Sequence, residues 1–273
     1  MTSSEIFRVI NPHGYFDKFF SNGIFPDGRH ILSSQKLVFK QGECGGVGSS
    51  IVTFGNVTIS CTIEASVSLE SDASLVSVEI AETQQLDEKQ SEEYCGILLS
   101  LFEKEYFVKR ESMKCRNNSG EKLPLDWVFK IVVKVLSVDG DLLDSLVAAV
   151  GAALKNTKLP TIVLNRGLED ESAIEKTQIL VDEANYHLEI NNILMSCTFG
   201  IFLNQENKEI LIVSPDVEIS NVCTATVTVI IGNDSKIAFC RQRGSISEFQ
   251  ILRKMTEITI DRRNKFVEAL QKS

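Results

Sequence analysis

Hydrophobic and polar positions alternate along much of the first half of the chain, a pattern typical of half-buried β-strands. The second and third of these stretches are separated only by Gly55-Asn56, which is a two-residue hairpin signal. The stretches predicted as strands are 35–40, 50–54, 57–64, 75–80 and 127–138. We therefore predict that the chain opens with an antiparallel meander, to which further strands are added.

Apolar residues recur at helical spacing in other stretches. Residues 91–109 predict an amphipathic helix of about five turns. Residues 142–154 are apolar on every side, which predicts a buried helix packed on a sheet with Asp141 as its N-cap. An amphipathic helix over 247–270 ends the chain, and a short helix is expected in the aromatic segment 15–20.

The second half repeats this order of elements. Its predicted strands are 161–164, 178–182, 198–203, 209–213, 223–231 and 237–240. Strands and helices in this order favour the α+β class, with helices packed against mixed sheets. No low-complexity linker divides the chain, so we predict one compact domain with an N-terminal arm (1–30), a first half (31–165) and a second half (166–273).

Charge and cysteine content exclude several classes of protein. The net charge of −9 argues against a protein that binds nucleic acid with its whole surface. The seven cysteines include no C-x-x-C pair, so we predict reduced thiols and neither a zinc site nor a redox centre. No apolar run is long enough to span a bilayer and no signal pattern opens the chain, so we expect a soluble, intracellular protein without a membrane partner.

Positive charge is nevertheless concentrated in two short stretches. The first includes Lys109, Arg110, Lys114 and Arg116, and the second includes Arg241, Arg243, Arg253 and Lys254. Such clusters are more often solvated faces than binding sites. Contact with RNA is the alternative, and the first cluster is our candidate for it.

Two motifs suggest chemistry, but their contexts favour structural roles. The glycine-rich stretch 42–50 invites comparison with a phosphate-binding loop, yet it lacks Gly-Lys-Ser/Thr and precedes a hairpin, so a strand-connecting turn is favoured. Asp139, Asp141 and Asp144 are candidates for binding Mg²⁺ or for acid–base work. Asp139-Gly140 is also a turn signal and Asp141 a cap candidate, so structural roles are favoured here too.

Taken in order, several segments resemble the RNase PH family, and in particular the RNase PH-like subunits of the eukaryotic RNA exosome. These segments are Pro26-Asp27-Gly28-Arg29, 48–61, Arg110-Glu111-Ser112, 136–145, 152–160 and 210–216. The resemblance implies two βαβα-type halves, as in ribosomal protein S5 domain 2, and a place in a six-subunit ring of heterodimers. It also implies as partners the other RNase PH-like subunits, S1/KH cap subunits, associated exoribonucleases and single-stranded RNA in the channel. The implied localisation is the nucleus, nucleolus and cytoplasm.

The same resemblance implies that the catalytic residues are missing. Active family members carry Asp-Gly-Gly-Thr-Arg or a close relative where this chain reads Asp-Gly-Asp-Leu-Leu at 139–143, which puts Leu143 at the phosphate-binding arginine. They also place acidic residues after the strand that matches 210–213, where an ungapped alignment puts Thr224 and Thr226. Residues 139–144 instead resemble the Asp-Gly-Asn-Leu-Leu-Asp pattern of the inactive partner subunits.

We therefore expect a non-catalytic structural subunit that supports 3′-to-5′ RNA processing and degradation, including rRNA processing, by the assembled exosome. No catalytic residue, cofactor or metal is predicted. The alternative is a phosphorolytic 3′-5′ exoribonuclease that uses Arg110 or Arg241 for phosphate and Asp216 as the acid. A stand-alone RNA-binding module is a third interpretation, which the acidic balance disfavours.

Overall fold

The predicted α+β class is confirmed. The computed structural model describes residues 3–68, 74–81, 86–165, 178–245 and 249–272. Its helices are α1 (Ser3–Ile10), α2 (Pro12–Phe20), α3 (Glu88–Glu103), α4 (Leu142–Asn156), α5 (Val217–Val222) and α6 (Phe249–Lys272). Its strands are β1 (Leu37–Gln41), β2 (Gly48–Phe54), β3 (Val57–Ser68), β4 (Val76–Ile80), β5 (Lys114–Arg116), β6 (Lys122–Ser137), β7 (Lys158–Asn165), β8 (Gln178–His187), β9 (Met195–Leu203), β10 (Glu209–Val213), β11 (Ala225–Ile231) and β12 (Ile237–Gly244).

The first sheet has the strand order β1-β2-β3-β6-β4, and β5 pairs with the N-terminal part of β6. The predicted meander β1-β2-β3 is antiparallel, whereas β4 runs parallel to β6, so the sheet is mixed as expected. The hairpin between β2 and β3 pairs Phe54 with Val57 across Gly55-Asn56. Gly55 has a φ of +57° and lies against the side chain of Gln35, so only glycine fits this turn.

The second sheet has the order β10-β9-β11-β12 and is antiparallel throughout. Helix α6 packs on β9 and β11, while α4 lies between the sheets and contacts β2, β3 and β9. Every residue from Leu142 to Leu154 is buried, including Asp144 and Ser145, as expected for a helix this rich in Leu, Val and Ala. Since α4 is covered on all sides, the side chains at its N-terminus are held in fixed positions.

The predicted helix over 91–109 is wrong at its C-terminal end. Helix α3 ends at Glu103, and Glu105 takes a φ of +56°. The chain then turns back, the Tyr106 amide donates to the Leu101 carbonyl at 2.9 Å, and the Phe107 ring packs 4.8 Å from the Phe102 ring. Phe107 is buried beneath the helix although it lies after the helix ends. The apolar spacing in the sequence therefore extends past the helix, and this is why the predicted helix was too long.

The N-terminal arm is a packed part of the fold. Its short aromatic helix is confirmed as α2, while α1 and the distant helix α5 were not predicted. Phe16, Phe20 and Phe25 are buried together with Phe202 and Ile212 of the second sheet. The arm thus covers β9 and β10 on the face of that sheet opposite α6.

Several smaller predictions are also decided by the structure. The glycine-rich stretch is a strand-connecting turn, as favoured, with positive φ at Gly42, Gly45 and Gly46. All seven cysteines are free of disulfides. None of the helices within the described ranges is both long and apolar enough to cross a membrane. The predicted start of the last helix at 247 and of the second half at 166 lie outside the described residues, and the domain boundaries remain predictions.

Candidate functional site

The candidate site is the N-terminus of α4, where β6 ends and the chain turns. Gly140 has a φ of +132°, and a Cβ there would lie 3.3 Å from the Pro215 carbonyl oxygen. The Asp141 carboxylate accepts from the Leu143 amide at 2.9 Å, and Asp139 accepts from the side-chain amide of Asn56 at 2.9 Å. Asp139 and Asp141 therefore have the turn and cap roles that the sequence favours.

Leu143 points into the core. Its side chain is fully buried in the first turn of α4 and belongs to the main hydrophobic cluster. The position that the resemblance assigns to a phosphate-binding arginine is therefore apolar and also turned away from the solvent.

Asp144 is held by a complete set of buried partners. Its carboxylate accepts from the Ser196 hydroxyl at 2.7 Å, from the Thr198 amide and hydroxyl at 3.0 Å each, and from the Arg262 guanidinium at 2.9 Å. The same guanidinium lies 4.0 Å from the Phe54 ring centroid. Asp144 is thus committed to the interior and is not available to a substrate.

Arg241, a phosphate ligand in the alternative interpretation, is also occupied. It forms an ion pair with Asp141 and another with Glu93 at 2.9 Å, and its side chain is only 12% exposed. Glu93 also binds Arg243 at 2.9 Å, so these charges link α3, α4 and β12. A phosphate would have to displace two carboxylates to reach Arg241.

A small cavity lies between the α4 N-terminus and the end of β10. Its volume is about 10 Å³, which is room for about one water molecule. Ser214 borders it with a φ of +51°, and the Ser214 hydroxyl is buried without a hydrogen-bond partner among the described residues. Phosphate does not fit in this space.

Asp216, the acid in the alternative interpretation, lies directly after β10 and caps α5 by accepting from the Ile219 amide at 2.7 Å. Burial raises the pKa of its carboxyl, and the nearby Asp139 and Glu218 carboxylates add to that rise. Asp216 borders a larger cleft of about 410 Å³ under the N-terminal arm. Arg110, the other phosphate candidate, lies in a 3₁₀ turn over Arg110–Met113, between α3 and β5, and lines neither cavity described here.

Thr224 and Thr226, which the ungapped alignment puts at the acidic positions, belong to the start of β11 and the loop before it. The Thr224 hydroxyl donates to the Ile201 carbonyl at 3.0 Å, and Thr226 pairs with Gly200 and Arg243 in the sheet. Neither residue lines the two cavities. The sequence names Asp216 only as the acid of the phosphorolytic alternative, and its role as the cap of α5 was not predicted.

The predicted RNA-binding residues lie together along the 3₁₀ turn and β5. Lys109 and Arg110 are exposed, whereas Arg116 pairs with Glu189 at 2.7 Å and lies 5.1 Å from the Tyr186 ring centroid. Lys114 is 3.8 Å from Asp126. Lys114 and Arg116 therefore have internal carboxylate partners, and contact of this group with RNA remains a prediction.

Residues 31–160 match the RNase PH profile, described as the 3′ exoribonuclease family, domain 1. A solved chain of an archaeal exosome core superposes with a TM-score of 0.71, at 18% identity, over 99% of this chain and 100% of its own. The chain has the RNase PH fold. A chain of the Archaeoglobus fulgidus exosome, solved with RNA bound to the active site, gives a TM-score of 0.71 at 17% identity and covers 96% of this chain and 98% of its own. Rice (Oryza sativa) Rrp46 shares the RNase PH fold at a TM-score of 0.63 and 12% identity, over 90% of this chain and 98% of its own.

Proposed function

We propose that this chain is a non-catalytic structural subunit of an RNA exosome ring, supporting 3′-to-5′ RNA processing and degradation by the assembled complex. One observation carries the proposal: the α4 N-terminus, where phosphorolysis requires an anion site, is filled by the chain itself. Leu143 is in the core, Asp141 occupies the helix cap, and the adjoining cavity has room for about one water.

Electrostatics at this helix end also disfavour phosphate. A helix N-terminus attracts anions through its free amides and its dipole. Here Asp141 takes an amide, Asp144 lies in the first turn, and Asp139 lies just outside it. Arg241 and Arg262 are already paired with Asp141 and Asp144 inside the fold, so an incoming phosphate would meet carboxylates rather than a free guanidinium.

Exposed apolar surface supports a role in an assembly. On the β7–β8 ribbon, Val163 and Leu180 pair across the strands and both are exposed, while Val181 is exposed on the opposite face. Apolar side chains grouped in this way are typical of surfaces that a partner covers. The proposed partners are other RNase PH-like ring subunits, with S1/KH cap subunits, associated exoribonucleases and single-stranded RNA in the assembled particle.

Within such a ring, we assign the chain to the position of the subunit called ribosomal RNA-processing protein 43. The support is the likeness of Tyr15-Phe16-Asp17-Lys18-Phe19-Phe20 and of the following Pro26-Asp27-Gly28-Arg29 to that subunit. The proposed localisation is that of the complex: nucleus, nucleolus and cytoplasm.

Catalytic silence is tested with the purified chain, a 3′-labelled single-stranded RNA and inorganic phosphate. We expect no release of nucleoside diphosphate at any phosphate concentration, because the arginines at the α4 N-terminus are paired with Asp141 and Asp144. An active archaeal exosome serves as the positive control. Phosphate-dependent release that the Asp216→Asn substitution abolishes would refute the proposal in favour of the phosphorolytic alternative.

Ring membership is tested by co-expression with the other RNase PH-like subunits. We expect the chain to co-purify in a stoichiometric complex and to behave poorly alone, because the apolar ribbon would be uncovered. A chain that remains monomeric beside all of those subunits would rule out the ring.

A further inference from the structure

A second cleft lies under the N-terminal arm, beside the α4 site. Its volume of about 410 Å³ falls within the range of ligand cavities in proteins. The arm forms one wall with Arg8, Tyr15 and Arg29, and Gln35, Asn56 and Asp216 face it from the body of the fold.

The arginines of this cleft lie over aromatic rings. The Arg29 guanidinium lies 3.9 Å from the Phe25 ring centroid, is 3.3 Å from an Asp27 carboxylate oxygen, and donates to the Ser33 carbonyl at 3.0 Å. Arg8 is fixed in a similar way by Glu218 and lies about 6 Å from the Tyr15 and Phe16 rings. A guanidinium with one face on a ring offers its other face to a second planar group.

Hydrogen-bonding groups in the cleft remain available to a ligand. The Gln35 amide and the Tyr15 hydroxyl make no hydrogen bond to any residue in the described part of the chain. Asn56 uses its side-chain nitrogen on Asp139, which leaves its oxygen as an acceptor. Primary amides of this kind pair with the polar edges of nucleobases.

The charge of the cleft points to an uncharged ligand. Arg8 and Arg29 are balanced by Asp27 and Asp216 in the walls, and Glu218 adds a further negative charge behind Arg8. A phosphate would therefore gain little electrostatic binding energy in this cleft. Hydroxyl groups, in contrast, can donate to the free oxygen of the Asp216 carboxylate.

We propose that this cleft binds a nucleoside, with the base stacked on the Arg29 guanidinium and hydrogen-bonded to Gln35, and with the ribose hydroxyls directed to Asp216. The nucleoside is either a free molecule or an unpaired residue of an RNA strand. The inference goes beyond the ring function and does not rest on it.

Titration calorimetry of the full-length chain with adenosine and with uridine tests the proposal. We expect saturable binding that Arg29→Lys weakens by roughly fivefold or more, because lysine keeps the charge and loses the planar stacking face. Gln35→Ala should weaken binding as well, and it removes no hydrogen bond of the fold, so it serves if Arg29→Lys does not fold. Arg253→Lys on the exposed side of α6 is the matched control and should bind like the wild type.

Further ligands identify the chemistry and the source. The 5′-monophosphates should bind no tighter than the nucleosides, and inorganic phosphate should not compete. If Arg29→Lys also weakens the binding of a short single-stranded RNA, the natural ligand is a nucleoside within an RNA strand. If it weakens the binding of nucleosides only, the natural ligand is a free nucleoside. Absence of binding at millimolar nucleoside, competition by phosphate, or equal weakening by Arg253→Lys would overturn the proposal.

Discussion

Asp144 and Arg262 are charged side chains in the middle of the interior, and each compensates the charge of the other. Both are less than a tenth exposed and lie 2.9 Å apart. Arg262→Met should lower the free energy of unfolding by about 3–5 kcal/mol, because it leaves a buried carboxylate without its counter-charge. Urea titration measures the loss. Lys265→Met removes an exposed partner from the same helix and should change stability by about 1 kcal/mol at most, so equal losses would contradict this account.

Leu143→Arg tests whether an arginine at this position is enough to create a phosphate site at the α4 N-terminus. We expect no phosphorolysis and a loss of about 3 kcal/mol or more in the free energy of unfolding, because the new guanidinium would enter the core rather than the cavity. The control is Leu136→Arg on the exposed face of β6, where arginine should be tolerated. Gain of phosphate-dependent degradation in a folded Leu143→Arg chain would disprove our description of the site.

At the scale of elements, the cap of α5 links stability to pH. Burial and the Asp139 and Glu218 carboxylates raise the pKa of Asp216 above its ordinary 3.8, so the folded chain binds this proton more tightly than the unfolded chain. That stabilisation is complete below pH 3.8 and is lost as the pH rises through the folded pKa. Asp216→Asn keeps a capping oxygen without the charge, so it should be more stable than the wild type at neutral pH and equal to it in acid.

Urea unfolding on both sides of this pH window checks the prediction. Asp234→Asn is the contrasting control, because the hydrogen bond from the Lys236 ammonium lowers the pKa of Asp234. Removing the Asp234 carboxylate should therefore lower the free energy of unfolding at neutral pH, whereas Asp216→Asn raises it. A difference between Asp216→Asn and wild type that persists unchanged in acid would argue for lost packing instead.

Elements with a strong local signal could be predicted, and those that depend on distant contacts could not. The apolar run of α4, its cap at Asp141 and the Gly55-Asn56 turn all act through neighbours in sequence, and each is confirmed. The end of α3 was misplaced because Phe107 is buried by folding back on Phe102, which spacing alone cannot distinguish from another helical turn.

The candidate site shows the same division. The local signals predicted the turn at Asp139 and the cap at Asp141, and both are confirmed. The assignment of Leu143 to the phosphate-ligand position rests on the resemblance and stays a prediction. The pairing of Arg241 with Asp141 and Glu93 brings together residues about a hundred or more positions apart, and no pattern in the sequence indicates it. Arg241 therefore remained a phosphate candidate until the fold showed its partners.

For the whole molecule, the position of α4 between the sheets joins the two halves in one core. Phe266 and Leu270 of α6, together with Leu194 and Ile230, belong to the same cluster as the strands of the first sheet. We therefore expect one cooperative unfolding transition, with equal calorimetric and van't Hoff enthalpies. Two separate transitions of the whole chain would indicate independent halves. A fragment that starts at residue 178 should not fold, since it lacks α4.

The carboxylate-filled end of α4 limits how this chain can change over evolutionary time. An ancestor or descendant that binds phosphate here differs from it at several places at once: an arginine must approach from outside the core, Asp141 must give up the helix cap, and the cavity beside Ser214 must widen. Removal of Asp141 from the cap alone loses a stabilising contact and supplies no cation for phosphate. Mutational paths between this state and one that binds phosphate here therefore pass through less stable intermediates, so the filled helix end is expected to persist once it is acquired.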